Sequence, residues 1–238
     1  MTELLFRADA YAREATGRVK TITIEGGIIL DGSLFYPTSG GQPGDSGTLR
    51  WGKRDIGIAT AVKGEGEDVI LLPSEPAGLP GVRQQVTQHL NWDRRYRLMR
   101  VHTALHLLSV VIPLPVSGGS ISVDKGRLDF DMPEAPEDKA MLEADLNRLI
   151  GCNMAVTEEW ITEAELDAQP ELVKTMSVQP PRGNGQIRLI RIGVGAETAD
   201  LQPCGGTHVA NTEEIGRVHI GKIEKKGRQN RRVYVHLE

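Results

Sequence analysis

Two pairs of residues with metal-binding chemistry, placed far apart in the chain, constrain this fold more than any other feature. His102 and His106 lie four residues apart in a segment with helical periodicity, and Cys204 and His208 have the same spacing around two glycines. On a helix, residues four apart project from one face about 6 Å from each other. Two glycines allow the second pair to turn tightly. Nitrogen and sulfur donors together suit Zn²⁺, so the sequence predicts that the two stretches meet at a zinc site.

The alternative is a pair of buried core histidines and a buried free cysteine. The helix has an apolar stripe at helical spacing, and the histidines are not part of it. The stripe consists of Leu98, Val101, Leu105, Leu108 and Ile112. At about 100° per residue the two histidines lie to the side of the stripe, so we expect them to border a cleft.

Composition narrows the class of protein. A chain of 238 residues fits one large or two small domains. No apolar run approaches the roughly 18 residues that cross a bilayer, and no secretory signal is visible at Met1. Two cysteines, Cys152 and Cys204, do not form a disulfide framework. We therefore expect a cytoplasmic protein, and the sequence shows no sign of a membrane or an obligate protein partner.

The net charge of −4 argues against a nucleic-acid partner, but the charges are unevenly distributed. From Gly216 to Glu238 the chain has seven basic and two acidic residues, seven minus two or +5. The basic residues there are Arg217, Lys222, Lys225, Lys226, Arg228, Arg231 and Arg232. A second cluster, Arg94, Arg95, Arg97 and Arg100, precedes the histidines. Charge runs are usually solvated surface, and these two also suit a polyanion.

Residues 1–90 show short alternating strands separated by glycine turns, which is typical of a small β-barrel. The predicted strands lie near Val19–Ile24, Ile28–Leu30, Thr48–Trp51, Ile56–Lys63, Val69–Leu72 and Val82–His89. The Gly/Pro-rich stretch that includes Gly40, Gly41 and Gln42 interrupts them. It is either a plain surface loop or a loop whose backbone N–H groups contact a substrate.

Residues 91–238 show a mixture of helices and strands, and we expect a second domain of α+β class with helices packed on an antiparallel sheet. The histidine helix begins at Asp93 as N-cap and runs to about Ile112. The other predicted elements are a hairpin of 119–123 with 127–131, a helix from Pro136 to Ile150, strands at Ala155–Ile161 and Gln186–Ile192, a capping box from Thr162 to Glu165, and a final pair at Gly216–Glu224 and Arg231–Leu237.

Four segments together resemble the alanyl-tRNA synthetases and their freestanding editing relatives. They are the glycine-rich stretch from Phe35 to Gln42 with Asp45 and Gly47, the segment His102–Leu108, the pair Gly119-Ser120 and Arg127–Phe130, and Cys204–Val209 with Glu214-Ile215-Gly216. The order is the same as in that family. Because the chain has no room for an aminoacylation domain, the resemblance implies the freestanding, medium-length editing form.

The resemblance implies a zinc-dependent hydrolase that deacylates mischarged Ser-tRNA(Ala), with Gly-tRNA(Ala) as a second substrate. A separate site that hydrogen-bonds the serine hydroxyl would act as a second sieve. The residues expected to bind the substrate are Thr103, Ser117, Ser120, Gly40, Gly41 and Gln42. The residues expected to bind tRNA are Arg94, Arg95, Lys222, Lys225, Lys226, Arg228 and Arg231. For Thr103, Ser117 and Ser120, the alternative is a local hydrogen bond between the hydroxyl group and the backbone.

The chemistry leaves several alternatives open. The histidine helix lacks the glutamate of zinc peptidases, so no side chain is assigned as base, and a zinc-bound water or a tRNA hydroxyl takes that role. Four protein ligands are typical of a structural zinc site, whereas catalytic zinc keeps one position open. The chain is therefore an editing hydrolase, a non-catalytic zinc-stabilised tRNA-binding module, a zinc amidase or peptidase, or an editing protein for Ser-tRNA(Thr).

Overall fold

The structure, a computed structural model, describes residues 1–75, 78–136, 138–176 and 185–238. The chain divides into two compact units, Met1–Arg97 and Leu98–Glu238. The division falls inside the histidine helix, whereas the sequence analysis placed the domain boundary ahead of that helix, between residues 90 and 91.

The first unit is built on a closed antiparallel β-barrel, which confirms the fold predicted for this part of the chain. Its elements are β1 (Glu3–Leu4), α1 (Leu5–Ala8), β2 (Glu14–Ile22), β3 (Ile28–Leu30), β4 (Gly32–Ser33), β5 (Gly47–Trp51), β6 (Arg54–Lys63), β7 (Val69–Pro73) and β8 (Gln85–Leu90). Around the barrel the strands follow the order β2-β3-β7-β6-β5-β8, and β1 pairs with β4 in parallel. Closure of the barrel leaves no unpaired strand edge in it.

Alternating side chains of the barrel strands fill its interior. In β6, Ile56 and Ile58 point inward and are almost fully buried. A register shift between Ile58 and Thr60 changes the phase, so that the next inward residue is Ala61 rather than Thr60. A β-bulge of this kind bends a strand and is common where a sheet closes on itself.

An ion pair lies buried within the first unit. Arg95 and Asp45 are 0% and 1% exposed, and Nε of Arg95 donates to both carboxylate oxygens at 3.0 and 2.9 Å. The guanidinium also donates to the carbonyl oxygens of Ala10 and Leu34, and the backbone N–H of Tyr36 donates to Asp45 at 2.7 Å. Arg95 therefore does not lie on an exposed basic surface, and its predicted contact with tRNA is wrong.

The second unit is of α+β class, as predicted. Its elements, together with a helix that begins in the first unit, are α2 (Trp92–Val111), β9 (Val116–Ile121), β10 (Lys125–Asp131), α3 (Lys139–Gly151), β11 (Val156–Thr162), α4 (Glu163–Asp167), β12 (Gln186–Ile192), β13 (Asp200–Pro203), β14 (Val218–Lys225) and β15 (Asn230–Leu237). One antiparallel sheet has the order β14-β15-β10-β9, and another has β11-β12-β13.

The helix ends show where local sequence rules apply. Asn91, not Asp93, caps α2, because its Oδ1 accepts the backbone N–H of Arg94 at 3.2 Å. The capping box of Thr162 and Glu165 forms as predicted, while α3 begins after its N-cap Asp138 rather than at Pro136. Of the helices in the described ranges, none has the length and apolar character to cross a membrane.

Strand β10 lies unusually close to α2 at one glycine. A Cβ atom at Gly126 would meet Cγ1 of Val101 at 2.7 Å and Cδ1 of Leu105 at 2.9 Å. Carbon atoms pack at about 3.5–4.0 Å, so a side chain at position 126 would require Val101, Leu105 or the helix itself to shift. This contact places β10 against Val101 and Leu105, the residues immediately before His102 and His106.

Candidate metal centre

The structure brings four potential metal ligands together in the second unit. His102, His106, Cys204 and His208 each direct one donor atom to a common point, and these four atoms lie within 4.8 Å of one another. The Sγ atom of Cys204 is 3.5 Å from Nε2 of His102 and 3.3 Å from Nε2 of His208. The two stretches that the sequence predicted to meet therefore do meet.

The cluster is assembled from one helix and one loop. His102 and His106 project from α2 with ring centroids 5.4 Å apart, and the loop after β13 supplies Cys204 and His208. Arg188 on β12 holds this loop, because its Nη1 donates to the carbonyl oxygens of Cys204 and Gly206 at 2.9 and 3.0 Å. Neither glycine of the loop is among the described residues with positive φ, so left-handed backbone is not their contribution.

The backbone also prepares the cysteine sulfur for a metal. The N–H of Gly206 donates to Sγ of Cys204 at 3.4 Å, a contact that favours the thiolate. The three histidines are 6–8% exposed, and Cys204 is more exposed than they are. Three of the four residues are therefore buried, and Cys204 is partly exposed.

The two distances from the cysteine sulfur to histidine nitrogens fit a zinc ion. With Zn–N and Zn–S bonds of about 2.0–2.3 Å, neighbouring ligand atoms of a tetrahedral site lie about 3.3–3.8 Å apart. The separations from Sγ of Cys204 to Nε2 of His102 and of His208 fall in this range. Three imidazole nitrogens and one sulfur also form the borderline-soft set that this metal prefers.

Two of the imidazole rings are held by contacts at their Nδ1 atoms. Nδ1 of His106 lies 2.8 Å from Oδ2 of Asp200, a buried carboxylate that also accepts from Lys174 at 2.6 Å. Nδ1 of His208 lies 3.2 Å from the hydroxyl of Thr103, which donates to the carbonyl of Met99. These contacts leave Nε2 of each ring for a metal.

The electrostatics follow from this arrangement. Burial would lower the pKa of His106, but the hydrogen bond to Asp200 and the contact with Cys204 outweigh burial and raise it to about 9. Burial and the neighbouring His102 lower the pKa of His208 to about 3. Burial would raise the pKa of the Cys204 thiol, but His102 and His208 hold it well below its usual range. A low thiol pKa favours the thiolate that metals bind.

Comparison with known proteins identifies the family. The second unit matches the family model described as "Threonyl and Alanyl tRNA synthetase second additional domain" over residues 187–234. The whole chain is 32% identical to the alanyl-tRNA editing protein AlaX-M of Methanosarcina acetivorans over 99% of that protein. The chain belongs to the alanyl-tRNA editing protein family.

Other relatives are either of similar length or much longer than this chain. The AlaX-M protein of Saccharolobus solfataricus is 35% identical over 98% of each chain. The alanine–tRNA ligase of Caldivirga maquilingensis is 30% identical over 94% of this chain but only 25% of the ligase. Both units therefore correspond to a contiguous part of the larger enzyme.

The residues predicted to bind the substrate differ in their burial and in their hydrogen-bond partners. Thr103 is fully buried, and its hydroxyl already bonds Met99 and accepts from the N–H of Val209 at 3.3 Å. It supports His208 instead of facing a substrate, which corrects the prediction. Ser117 is partly exposed and donates to the carbonyl of Asp129, and Ser120 is partly exposed on the same strand, β9.

The glycine-rich stretch forms a tight turn in the first unit. Gly40 and Gly41 have φ of 55° and 81°, and Ser39 and Gln42 exchange backbone hydrogen bonds of 3.0 and 2.9 Å across them. The two glycines are exposed at the tip of the turn. The side chain of Gln42 is fully buried, so the structure does not offer it to a substrate, contrary to the prediction.

The predicted tRNA-binding residues also divide. Lys222, Lys225, Lys226 and Arg228 are exposed on β14 and the turn that follows it, and Arg94 is partly exposed. Lys222 and Lys226 share the carboxylate of Glu224, at 3.0 and 2.7 Å. Arg231 is buried and donates to the carbonyl oxygens of Pro133 and Gly227, so its predicted phosphate contact is wrong.

Three residues that support the ligands were not predicted from the sequence. Asp200, Lys174 and Arg188 carry no motif of their own, and their roles depend on tertiary contacts. A weak signal was available for Asp200, because Asp200 and Gln202 are two residues apart and share the buried face of β13.

Proposed function

We propose that this protein is a trans-editing hydrolase that removes serine from mischarged Ser-tRNA(Ala), with Gly-tRNA(Ala) as a second substrate. The proposal assigns Zn²⁺ to His102, His106, Cys204 and His208 and places the reaction in the cytoplasm. The convergence of these four donors, in a chain related throughout its length to proteins named alanyl-tRNA editing proteins, carries the proposal.

In this proposal the protein residues hold and surround the reacting ester. A bound zinc ion supplies a Lewis acid that polarises a carbonyl and lowers the pKa of water. The four ligands would hold that charge beside Cys204, the one of them that is partly exposed. The ester of an aminoacyl-tRNA is already labile, so a modest lowering of the barrier is sufficient. Ser117 and Ser120 are the candidates for a hydrogen bond to the serine hydroxyl.

We assign tRNA binding to an exposed basic surface formed by Lys222, Lys225, Lys226 and Arg228, with Arg94 as a further contact. Phosphate contacts of this kind position a nucleic acid without reading its sequence. Glu224 neutralises part of the charge of Lys222 and Lys226. Lys225 and Arg228 are therefore expected to contribute more to the affinity than the other two. Gly40 and Gly41 stay candidates for backbone contacts with the substrate.

Deacylation of Ser-tRNA(Ala) and Ala-tRNA(Ala) tests this proposal. We expect the wild type to hydrolyse the serine ester selectively and Cys204→Ala to lose the activity together with the metal. Cys152→Ala is the matched control, because Cys152 is a free, exposed cysteine of the same unit. Equal hydrolysis of both esters, or full activity in Cys204→Ala, would contradict selective metal-dependent editing.

Two alternatives have specific support. A set of four protein ligands is typical of structural zinc, which favours a non-catalytic tRNA-binding module. That module would bind tRNA but show no turnover at any concentration. The matching family model names threonyl as well as alanyl synthetases, which favours editing of Ser-tRNA(Thr). Replacing the tRNA in the same assay distinguishes this case.

A further inference from the structure

Nδ1 of His106 belongs to a buried hydrogen-bond network that extends to the partly exposed Lys174. Oδ2 of Asp200 is 2.8 Å from Nδ1 of His106 and accepts from Nε2 of Gln202 at 2.8 Å. Oδ1 accepts from Nζ of Lys174 at 2.6 Å. The Asp200 side chain is 0% exposed and that of Lys174 is 27% exposed. Both carboxylate oxygens are thus hydrogen-bonded, and Lys174 is the most exposed residue of this network.

We propose that Asp200 and Lys174 are positioning residues for the metal centre: Asp200 fixes the ring and tautomer of His106, and Lys174 balances the charge that Asp200 adds. The proposal rests on the metal assignment made under the proposed function. It concerns residues that are not ligands and that hold no metal themselves.

The partners of Asp200 determine which nitrogen of His106 carries the proton. The ammonium group of Lys174 at 2.6 Å favours the ionised carboxylate, which has no proton to give, so Nδ1 of His106 is the donor. A neutral imidazole with its proton on Nδ1 has its lone pair on Nε2. This is the atom that Asp200 leaves directed away from itself. Asp200 therefore selects the tautomer that binds a metal and makes that nitrogen a better donor.

The second part of the argument concerns net charge. A divalent ion, one thiolate and three neutral imidazoles sum to +1. An ionised Asp200 in contact with His106 would reduce the local sum to 0. The ammonium group of Lys174 at 2.6 Å restores it to +1. A positive centre attracts the electron-rich carbonyl of an ester and the charge that develops on it.

The two roles predict different changes in metal affinity for the two variants, which a purely structural role does not. Asp200→Asn has no charge to orient the ring, and we expect zinc affinity to fall about 10–100-fold. Lys174→Met leaves Asp200 without its counter-ion, and the extra negative charge should keep zinc affinity equal to or above that of the wild type. Hydrolysis by Lys174→Met should nevertheless fall at least about 10-fold, and Lys174→Arg should restore it.

The experiment measures zinc affinity by competition with a chromophoric chelator, and Co²⁺ absorption reports the ligand geometry. Asp129→Asn is the control, because Asp129 is also a carboxylate with two basic partners, Arg127 and Arg232, in the same unit. Equal loss of affinity in Asp200→Asn and Lys174→Met, or affinity in Asp200→Asn within twofold of the control, overturns the proposal. If the two variants differ in zinc affinity as expected, but the wild type binds zinc and hydrolyses no ester, the proposed function alone is refuted.

Discussion

The two units bury polar groups in opposite ways. In the first unit, the donors of Arg95 face the acceptors of Asp45, and further backbone groups complete both partners. In the second unit, four groups that can each bind a metal ion through a lone pair converge, and the cysteine sulfur contacts two of the histidines. The first arrangement pairs a cation with an anion, whereas the second gathers donor atoms that one metal cation can bridge.

This difference separates a structural cluster from a functional one without reference to sequence motifs. Buried polar groups are almost always paired, because leaving one unpaired costs about 1–3 kcal/mol. When the available partners are complementary, the cluster stabilises the fold on its own. When several potential metal ligands converge, as in the second unit, a bound cation is expected to complete the cluster. Breaking each cluster should therefore have different consequences.

The largest expected effect comes from breaking the satisfied pair. Asp45→Ala leaves the guanidinium of Arg95 buried without its carboxylate, and we expect the free energy of unfolding of the first unit to fall by about 3–5 kcal/mol. Zinc affinity of the second unit should stay unchanged. Urea unfolding followed by tryptophan fluorescence, with zinc affinity measured in parallel, checks this. A parallel loss of metal affinity would show that the two clusters are not independent.

Removing the metal should have a somewhat smaller effect, confined to the other unit. At free zinc 100–1,000 times the dissociation constant, binding stabilises the native state by about 2.7–4.1 kcal/mol. Chelation should therefore speed amide exchange in α2 near His106 and in the loop after β13. The barrel strand β6 is the internal control. Hydrogen exchange with and without chelator measures both, and equal changes in the two regions would contradict the comparison.

The smallest expected effect concerns a satisfied pair that is only partly buried. Burial would raise the pKa of Asp129, but the hydrogen bonds from Arg232 and Arg127 outweigh burial and lower it below 3.8. An acid with a lowered native pKa stabilises the fold above its unfolded pKa, and this contribution disappears as the pH falls below about 4. Asp129→Asn should cost less than about 1 kcal/mol at pH 6, and it should cost less at pH 3 than at pH 6. Melting temperatures at both pH values test this, and a constant difference would contradict the assignment.

Much of the site could be predicted from sequence because its chemistry is local. The helical spacing of His102 and His106 and the short turn between Cys204 and His208 each fix a pair of donors. Strand β12 has the predicted bounds because its alternation is regular, whereas β13 was missed because it has only four residues. Pairing across the chain was the one step that needed chemical reasoning about a shared metal.

The errors come from residues whose surroundings are set by tertiary structure. Arg95 was assigned to a basic run, but it lies three and four residues before Leu98 and Met99, on the helix face that is buried. The helical period therefore indicates that Arg95 is buried, which a count of basic residues does not show. Arg231 alternates in phase with Val233 and Val235 and is buried with them. Lys174 gave no such signal, because its partner Asp200 is 26 residues away.

The missing side chain at Gly126 connects the four-stranded sheet to the metal centre. Since β10 lies against Val101 and Leu105, the chain neighbours of His102 and His106, a methyl group at position 126 would force these side chains or the helix to move. A substitution in a strand that supplies no donor atom would thus disturb the positions of two ligands.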